Sequence, residues 1–203
     1  MDCYTPLLDE ALVFAADAFR QRRRKGSDIP YLAHLLQVMV TVAEYGGDQE
    51  QLIAALLHDY LEDIPGSSRE LVASRFGERV AHLVEALSDT TVRPKPPWND
   101  RKRRYLRHLA QAPIEVKLVS AADKLHNARS TRRDLRTVGE VVWDRFNPAR
   151  DETLWYHRSV VVALANGWSH DLVDDLRAEV IGMHADVGLT CVFEPLETLL
   201  AVV

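Results

Sequence analysis

The stretch ALLHDYLEDI, residues 55–64, has the leucine spacing of a buried helix face but also carries four ionisable groups, His58, Asp59, Glu62 and Asp63. Positions three and four apart share one face of a helix, so these groups are predicted to project over neighbouring sectors of one surface. Burying carboxylates beside leucines is unfavourable unless they are paired or bind a cation. A bound metal ion would satisfy that condition, so this stretch is a candidate metal site.

Two further polar residues lie within apolar helix patterns. His34 is flanked by leucines in YLAHLLQV, residues 31–38, and Asp123 lies in VKLVSAADKLHN, residues 116–127. Either residue alone is more typical of an ordinary packed or capping side chain. Together with His58 and Asp59, however, they supply two imidazoles and two carboxylates from three helices, as in metal sites built inside helical bundles. That mixed nitrogen and oxygen set suits Mn²⁺, Fe²⁺ or Zn²⁺ with open positions for water.

Apolar residues recur at spacings of three and four along nearly the whole chain, which predicts helices. The predicted helices include residues 31–45, 48–63 with Asp48 as N-cap, 100–110, a stretch beginning at Pro113, 151–166 and 169–184. The proline-rich run at residues 90–100 is predicted as a loop, and no alternating strand pair flanks a two-residue turn. The sequence therefore predicts a single all-α domain over residues 1–203, a bundle of eight to ten helices.

Composition and charge narrow the classes of partner. Of 203 residues, 47% are hydrophobic and 27% are charged, which is ordinary for a globular protein, and the net charge of −5 argues against a general nucleic-acid binder. Cys3 and Cys191 have no metal-ligand spacing and are expected to stay reduced. No apolar run approaches about 18 residues, and the N-terminus carries no basic leader. We therefore predict a cytoplasmic protein without a nucleic-acid or membrane partner.

Basic residues are concentrated in three clusters, at residues 20–25, 101–107 and 129–136, which hold 14 of the 25 lysines and arginines. Charge runs of this kind are usually solvated surface. Arg24 and Lys25 are expected at the end of the first helix, where basic side chains complement the helix dipole. The alternative is that the three clusters converge on one anionic ligand. The sequence leaves both interpretations open, because the outcome depends on where the fold places the clusters.

Four segments carry a resemblance to a known family. His34, the adjacent pair His58-Asp59 and Asp123 resemble the H…HD…D signature of HD-domain metal-dependent phosphohydrolases. The segments RRKGSDIPYLAH, AALLHDYLED, RFGERVAHLVEALSD and VKLVSAADKLHNARS follow the order and spacing of the Rel/Spo type of hydrolase domain, whose stand-alone copies are called small alarmone hydrolases. The resemblance covers about residues 5–165 and implies an HD-domain helical bundle. Residues from about 166 to 203, predicted as C-terminal helices and a tail, lie beyond it.

The resemblance also implies an activity and a set of roles. Such enzymes remove the 3′-pyrophosphate from guanosine tetra- and pentaphosphate, with Mn²⁺. The implied metal ligands are His34, His58, Asp59 and Asp123, while Glu62 and Asp63 would position and deprotonate the attacking water. The implied substrate groups are Arg24 and Lys25 for the base or phosphates, Asn127 for the sugar, and Lys102 of the second basic cluster. Leu35, Ile64 and Ser130 depart from the usual family residues without removing any of these groups.

Two other functions stay open. One is an HD-domain phosphatase acting on another nucleotide, such as a 2′- or 3′-phosphate of a dinucleotide or a deoxynucleotide 5′-monophosphate. Arg24-Lys25 and Phe76-Gly77 resemble the alarmone branch and favour the pyrophosphohydrolase. The other is a non-catalytic nucleotide sensor, which would not need Glu62 and Asp63. Fe²⁺, Zn²⁺ or Mg²⁺ in place of Mn²⁺, and a homo-oligomeric state, are also left open.

Overall fold

A computed structural model describes residues 4–200 with the exception of 91 and 93, and gives no side-chain detail for Leu200. Among these residues the regular structure is helical, with one isolated bridge between Arg23 and Pro30. The prediction of an all-α fold is confirmed. The chain divides into two compact units, residues 1–91 with 118–122, and residues 92–117 with 123–203. The prediction of one domain over residues 1–203 stays a prediction.

The first unit contains the helices α1 (Pro6–Ala18), α2 (Tyr31–Glu44), α3 (Gln49–Leu57), α4 (Tyr60–Asp63), α5 (Arg69–Phe76) and α6 (Glu78–Leu87). The second contains α7 (Trp98–Gln111), most of α8 (Ile114–Val138), a 3₁₀ helix (Gly139–Arg145), α9 (Arg150–Ala165), α10 (Asp171–Ala185) and α11 (Leu196–Leu200). Residues 118–122 of α8 are counted with the first unit. No described helix has both the length and the apolar character needed to cross a bilayer.

Helix α3 forms the centre of the first unit. It contacts α1, α2 and α6, and five consecutive residues, 53–57, are fully buried. A helix that is apolar on all sides is typical of a protein core. Its start is fixed by a capping box, in which the Asp48 carboxylate accepts from the backbone N–H of Gln51 and the Gln51 side chain accepts from the backbone N–H of Asp48. The predicted N-cap is therefore confirmed.

The prediction of one continuous helix over residues 48–63 is wrong at His58 and Asp59. His58 keeps helical backbone angles, but Asp59 has φ −97° and ψ 2°, and α4 begins only at Tyr60. This sparsely populated backbone region is one in which many active-site residues lie. Aspartate also favours helix ends over helix interiors. The break falls on the two adjacent predicted metal ligands, at the end of the most deeply buried helix of the unit.

A buried lysine joins two helix ends in the second unit. Lys117 on α8 is 3% exposed, and its ammonium donates to the backbone carbonyls of Ala110 near the end of α7 and Asn166 at the end of α9. The Asn166 side chain also donates to the Ala110 carbonyl. The last carbonyls of a helix have no partner within the helix and carry a partial negative charge. A cation at this point satisfies both helix ends, although burial lowers the pKa of Lys117.

The third basic cluster is engaged in ion pairs within the second unit. Arg132 on α8 lies 2.7 Å from Glu179 and 2.9 Å from Asp186, on and just after α10, and Arg129 and Arg136 pair with carboxylates of the same segment. Arg132 is only 18% exposed, and its hydrogen bonds lower the pKa of Asp186. These contacts support a structural role for this cluster. They oppose the interpretation that all three clusters bind one anion.

Gly182 makes room for the Arg132 guanidinium, since a Cβ atom at this position would overlap it. We expect Gly182→Ala to lower the free energy of unfolding by about 1–2 kcal/mol, because Arg132 must leave carboxylates to which it makes charged hydrogen bonds. In an Arg132→Met background the same substitution should instead raise it by about 1 kcal/mol, the helix-propensity difference between alanine and glycine. Urea unfolding of the four proteins measures both effects, and equal changes in the two backgrounds would contradict this account.

Candidate metal centre

Three of the predicted metal ligands lie together in the first unit. Nε2 of His58 lies 2.9 Å from Oδ2 of Asp59, and Nε2 of His34 lies 3.8 Å from the same oxygen. The ligand atoms of the three residues all lie within 4.8 Å of one another. His34 and His58 are almost fully buried and their rings meet edge to face at 5.1 Å, whereas Asp59 is 21% exposed. The cluster is therefore buried on the histidine side and reachable through the carboxylate.

The orientation of His58 is fixed by the end of α3. Its Nδ1 atom lies 2.8 Å from the backbone carbonyl oxygen of Ala55. A carbonyl can only accept, so Nδ1 carries a proton, and in the neutral ring Nε2 presents a lone pair to the cluster. Metal-binding histidines are commonly oriented in this way by a hydrogen bond from the other ring nitrogen. The chemistry of the donor set, two imidazole nitrogens and one carboxylate oxygen, fits a divalent ion such as Mn²⁺, Fe²⁺ or Zn²⁺.

Asp123, the fourth predicted ligand, belongs to the second unit. It lies on α8, 6% exposed, and both carboxylate oxygens are engaged: Asn127 donates to Oδ1 at 2.6 Å and the Lys124 ammonium donates to Oδ2. Burial alone would lower the pKa of Lys124, but the charge of Asp123 raises it well above its usual value. Asp123 is thus held as an anion by a neighbouring cation. Its place in the metal-ligand set stays a prediction, as does the contact of Asn127 with a sugar.

Glu62 and Asp63, the predicted water-activating pair, lie on α4 directly after the ligand pair. One carboxylate oxygen of Glu62 accepts from the backbone N–H of Asp89 at 3.2 Å. The backbone carbonyl of Asp63 accepts from the Arg22 guanidinium. Because the helix breaks at His58 and Asp59, Glu62 belongs to α4 and not to a helix that continues through His58. Its position is set by α4 and by its contact with the segment that follows α6.

The first basic cluster lies in a loop, so the expectation that Arg24 and Lys25 end the first helix is wrong. Helix α1 ends at Ala18, and the bridge between Arg23 and Pro30 closes the following loop. Gly26 has φ 70°, a left-handed conformation that glycine adopts without strain, and it lies at the turn of this loop. The Arg24 guanidinium lies 5.7 Å from the centroid of the Tyr31 ring, while Lys25 is exposed. The roles of both residues in substrate binding stay predictions.

The second basic cluster lies on α7, where Lys102 lies near an aromatic ring and several arginines line a separate cavity. The Lys102 ammonium lies 4.7 Å from the centroid of the buried Tyr156 ring, and that of Lys124 lies 5.2 Å from the Tyr105 ring. Burial, with the charge of Lys124 acting in the same direction, lowers the pKa of the nearby His157 to about 4. This part of the second unit therefore concentrates positive charge around neutral rings. A contact of Lys102 with substrate stays a prediction.

A second surface of α7 lines an open cavity of about 560 Å³ within the second unit. Its lining consists of Asn99, Asp100, Arg103, Arg104, Arg107, Glu152 and Trp155. Two carboxylates offset the three guanidinium groups. Arg103 is in addition placed 4.9 Å from the Trp155 ring centroid and donates to the backbone carbonyl of Leu199. Arg103 is thus engaged with the protein itself.

One residue that contacts the candidate metal ligands was not predicted from the sequence. The Tyr31 hydroxyl donates to Oδ2 of Asp59 at 2.6 Å. The signal was present in the chain, because Tyr31 lies three residues before His34 and so on the same face of α2. A tyrosine at the first turn of a helix is more often a packing residue, and only the tertiary placement of Asp59 gives its hydroxyl a partner.

Comparisons with known proteins show the family to which this chain belongs. A family model described as an HD domain matches residues 11–151. The chain is 38% identical over 130 residues to a guanosine-3′,5′-bis(diphosphate) 3′-pyrophosphohydrolase, MESH1 of Xenopus tropicalis, a match that covers 63% of this chain and 70% of that protein. It is 36% identical over 124 residues to a guanosine-3′,5′-bis(diphosphate) 3′-pyrophosphohydrolase of Aquifex aeolicus, where the match covers 61% of this chain but 17% of the longer relative.

A solved structure extends the similarity to most of the chain. It is that of a metazoan ortholog of SpoT that hydrolyses ppGpp, with a TM-score of 0.71 and 27% identity, and it covers 91% of this chain and 97% of the other. That is more of the chain than the resemblance over about residues 5–165 implied. The family match and the two matched relatives lead to one conclusion. The chain belongs to the HD domain family.

Proposed function

We propose that this protein hydrolyses the 3′-pyrophosphate of guanosine tetra- and pentaphosphate (ppGpp and pppGpp), releasing GDP or GTP and pyrophosphate, in a reaction that depends on Mn²⁺. The observation that carries the proposal is the cluster of His34, His58 and Asp59 inside a matched HD domain. The names of the relatives direct it to this substrate, since they are guanosine-3′,5′-bis(diphosphate) 3′-pyrophosphohydrolases.

In the proposed reaction the protein holds one divalent ion through His34, His58 and Asp59, with Asp123 as a fourth ligand. Such an ion acidifies water and polarises a phosphoryl group. Glu62 takes the proton from the attacking water, and Asp63 helps to hold that water. Buried imidazoles supply neutral ligands on one side of the site, so the carboxylates provide the negative charge that offsets the cation.

Three of the four residues proposed to bind the substrate are cationic. Arg24 and Lys25 bind the base or phosphates, Lys102 binds a phosphate, and Asn127 contacts the sugar. Transferred phosphoryl groups gather negative charge on their oxygens in the transition state, and guanidinium and ammonium groups stabilise that charge. Because the whole chain is acidic, with a net charge of −5, attraction of a highly charged nucleotide depends on such local groups.

We further propose a cytoplasmic location. Cys191 is a free thiol, which suits a reducing compartment. Cys3 lies outside the described residues. Neither a nucleic-acid partner nor a membrane partner is part of the proposal.

The substrate assignment predicts a particular pair of products. Incubation of the purified protein with Mn²⁺ and a panel of nucleotides should convert guanosine tetraphosphate to GDP and intact pyrophosphate, identified by mass, because water attacks the phosphorus joined to the 3′ oxygen. Release of single orthophosphates would indicate a phosphomonoesterase. A higher kcat/KM for another nucleotide, with guanosine tetraphosphate left intact, would instead support the alternative HD-domain phosphatase.

Asp59→Ala should abolish Mn²⁺ binding and activity together, because Oδ2 of Asp59 lies 2.9 Å from Nε2 of His58 and 3.8 Å from Nε2 of His34. The first effect is measured as the metal content of the protein after incubation with Mn²⁺ and removal of the free ion by gel filtration. Asp9→Ala, an exposed position on α1, is the matched control and should behave as the parent does. Full Mn²⁺ occupancy in Asp59→Ala would refute the metal-site assignment.

Glu62→Gln separates the water-activating role from metal binding. The variant should keep its Mn²⁺ and its KM but lose roughly 10²–10⁴ in kcat, the usual contribution of a positioned general base. Glu44→Gln, exposed at the end of α2, serves as the control. Steady-state kinetics at saturating Mn²⁺ make the comparison, and equal kcat values for the variant and the parent would remove Glu62 from the mechanism.

A further inference from the structure

Tyr31 makes a hydrogen bond to the carboxylate at the centre of the candidate metal cluster. Its hydroxyl donates at 2.6 Å to Oδ2 of Asp59, the oxygen that lies 2.9 Å from Nε2 of His58. A carboxylate oxygen has two lone pairs, so Oδ2 can accept this bond and still present a lone pair to a cation. The bond therefore selects which Asp59 oxygen faces the histidines and holds it there.

The ring that carries this hydroxyl is itself fixed. Phe19 stacks on it with centroids 5.4 Å apart and planes only 12° from parallel, and the His34 ring meets it edge to face at 5.4 Å. The backbone N–H of Tyr31 donates to the carbonyl of Arg22 at 2.9 Å. This bond anchors the start of α2 to the loop that carries the first basic cluster, called the basic loop below. With ring and backbone both held, the hydroxyl keeps its direction before any metal or substrate binds.

The same ring also contacts the basic loop. The Arg24 guanidinium lies 5.7 Å from its centroid, within the range of a cation–π interaction. The backbone N–H of Arg24 donates to the Ile29 carbonyl at 2.9 Å, so the backbone at Arg24 is fixed as well. One aromatic ring thus contacts a predicted substrate group through its π system and a predicted metal ligand through its hydroxyl.

We infer that Tyr31 is a positioning residue that serves both halves of the proposed reaction: its hydroxyl orients Asp59 toward the metal ion, and its ring orients Arg24 toward the nucleotide. The part of the inference that concerns the nucleotide rests on the proposed function. The part that concerns the metal ion rests on the geometry around Asp59 and does not depend on which substrate is cleaved. Removing a residue that orients a metal ligand in this way typically lowers metal affinity or activity about 10- to 100-fold.

Two substitutions separate the two roles. Tyr31→Phe removes only the hydroxyl and should weaken Mn²⁺ binding by roughly 10- to 100-fold, with kcat restored by excess Mn²⁺ and KM for guanosine tetraphosphate unchanged. Tyr31→Leu also removes the ring surface beside Arg24 and should in addition raise KM about 2- to 30-fold at saturating Mn²⁺, as expected for loss of a cation–π contact. An Arg24→Ala variant should show the KM effect without the loss of Mn²⁺ affinity.

Mn²⁺ affinity is measured by electron paramagnetic resonance of the free ion, without nucleotide, so that the result does not depend on the substrate. Tyr60→Phe, which removes a hydroxyl from the residue directly after Asp59, is the control and should bind Mn²⁺ as the parent does. Parental Mn²⁺ affinity in Tyr31→Phe, or equal losses in both tyrosine variants, would overturn the inference. Failure of the parent to cleave guanosine tetraphosphate would reject the proposed function but leave the Mn²⁺ comparison intact.

Discussion

The candidate metal site depends on α3, the helix at the centre of the first unit, which packs against three other helices. Five consecutive residues at the end of α3 are fully buried, so the chain enters the cluster from the interior of the first unit and His58 is the first side chain beyond it. The Ala55 carbonyl, one turn back in that helix, then sets the direction of the imidazole. Packing density leaves such a helix little freedom to shift. The position of one ligand is therefore a direct consequence of hydrophobic burial.

Both units contain buried charged or polar groups, and these groups are compensated in different ways. In the first unit a carboxylate lies beside two buried imidazoles, and the arrangement is suited to an external cation. In the second unit the buried carboxylate of Asp123 is matched by the ammonium of Lys124, and the partly buried Arg132 is matched by two carboxylates. Buried charges need partners. The cluster of the first unit differs from these in that its donor set suits a partner from outside the chain.

Much of the secondary structure follows from local signals in the sequence. The start of α3 at its N-cap Asp48 and the extent of α9 over Arg150–Ala165 needed only residue types and their spacing. The residues of the candidate site were also visible, as polar side chains in apolar patterns. The break after α3 was not predictable, because Leu56, Leu57 and Leu61 continue the helical spacing across it. The hydrogen bond from Tyr31 to Asp59 and the ion pairs of Arg132 were not predictable either. The hydrogen bond and the ion pairs each depend on a partner distant in sequence, brought near only by tertiary packing.

The ammonium of Lys117 has a consequence for how this protein responds to chelators. It acts on the ends of α7 and α9 as a structural ion would, drawing carbonyl oxygens of two helices onto one positive charge. Unlike a metal ion it is covalently attached and cannot be extracted. EDTA would remove an ion bound at the candidate site of the first unit and leave this junction of the second intact. The proposed catalysis and the architecture of the second unit would then rest on different cations, one exchangeable with solvent and one encoded in the chain.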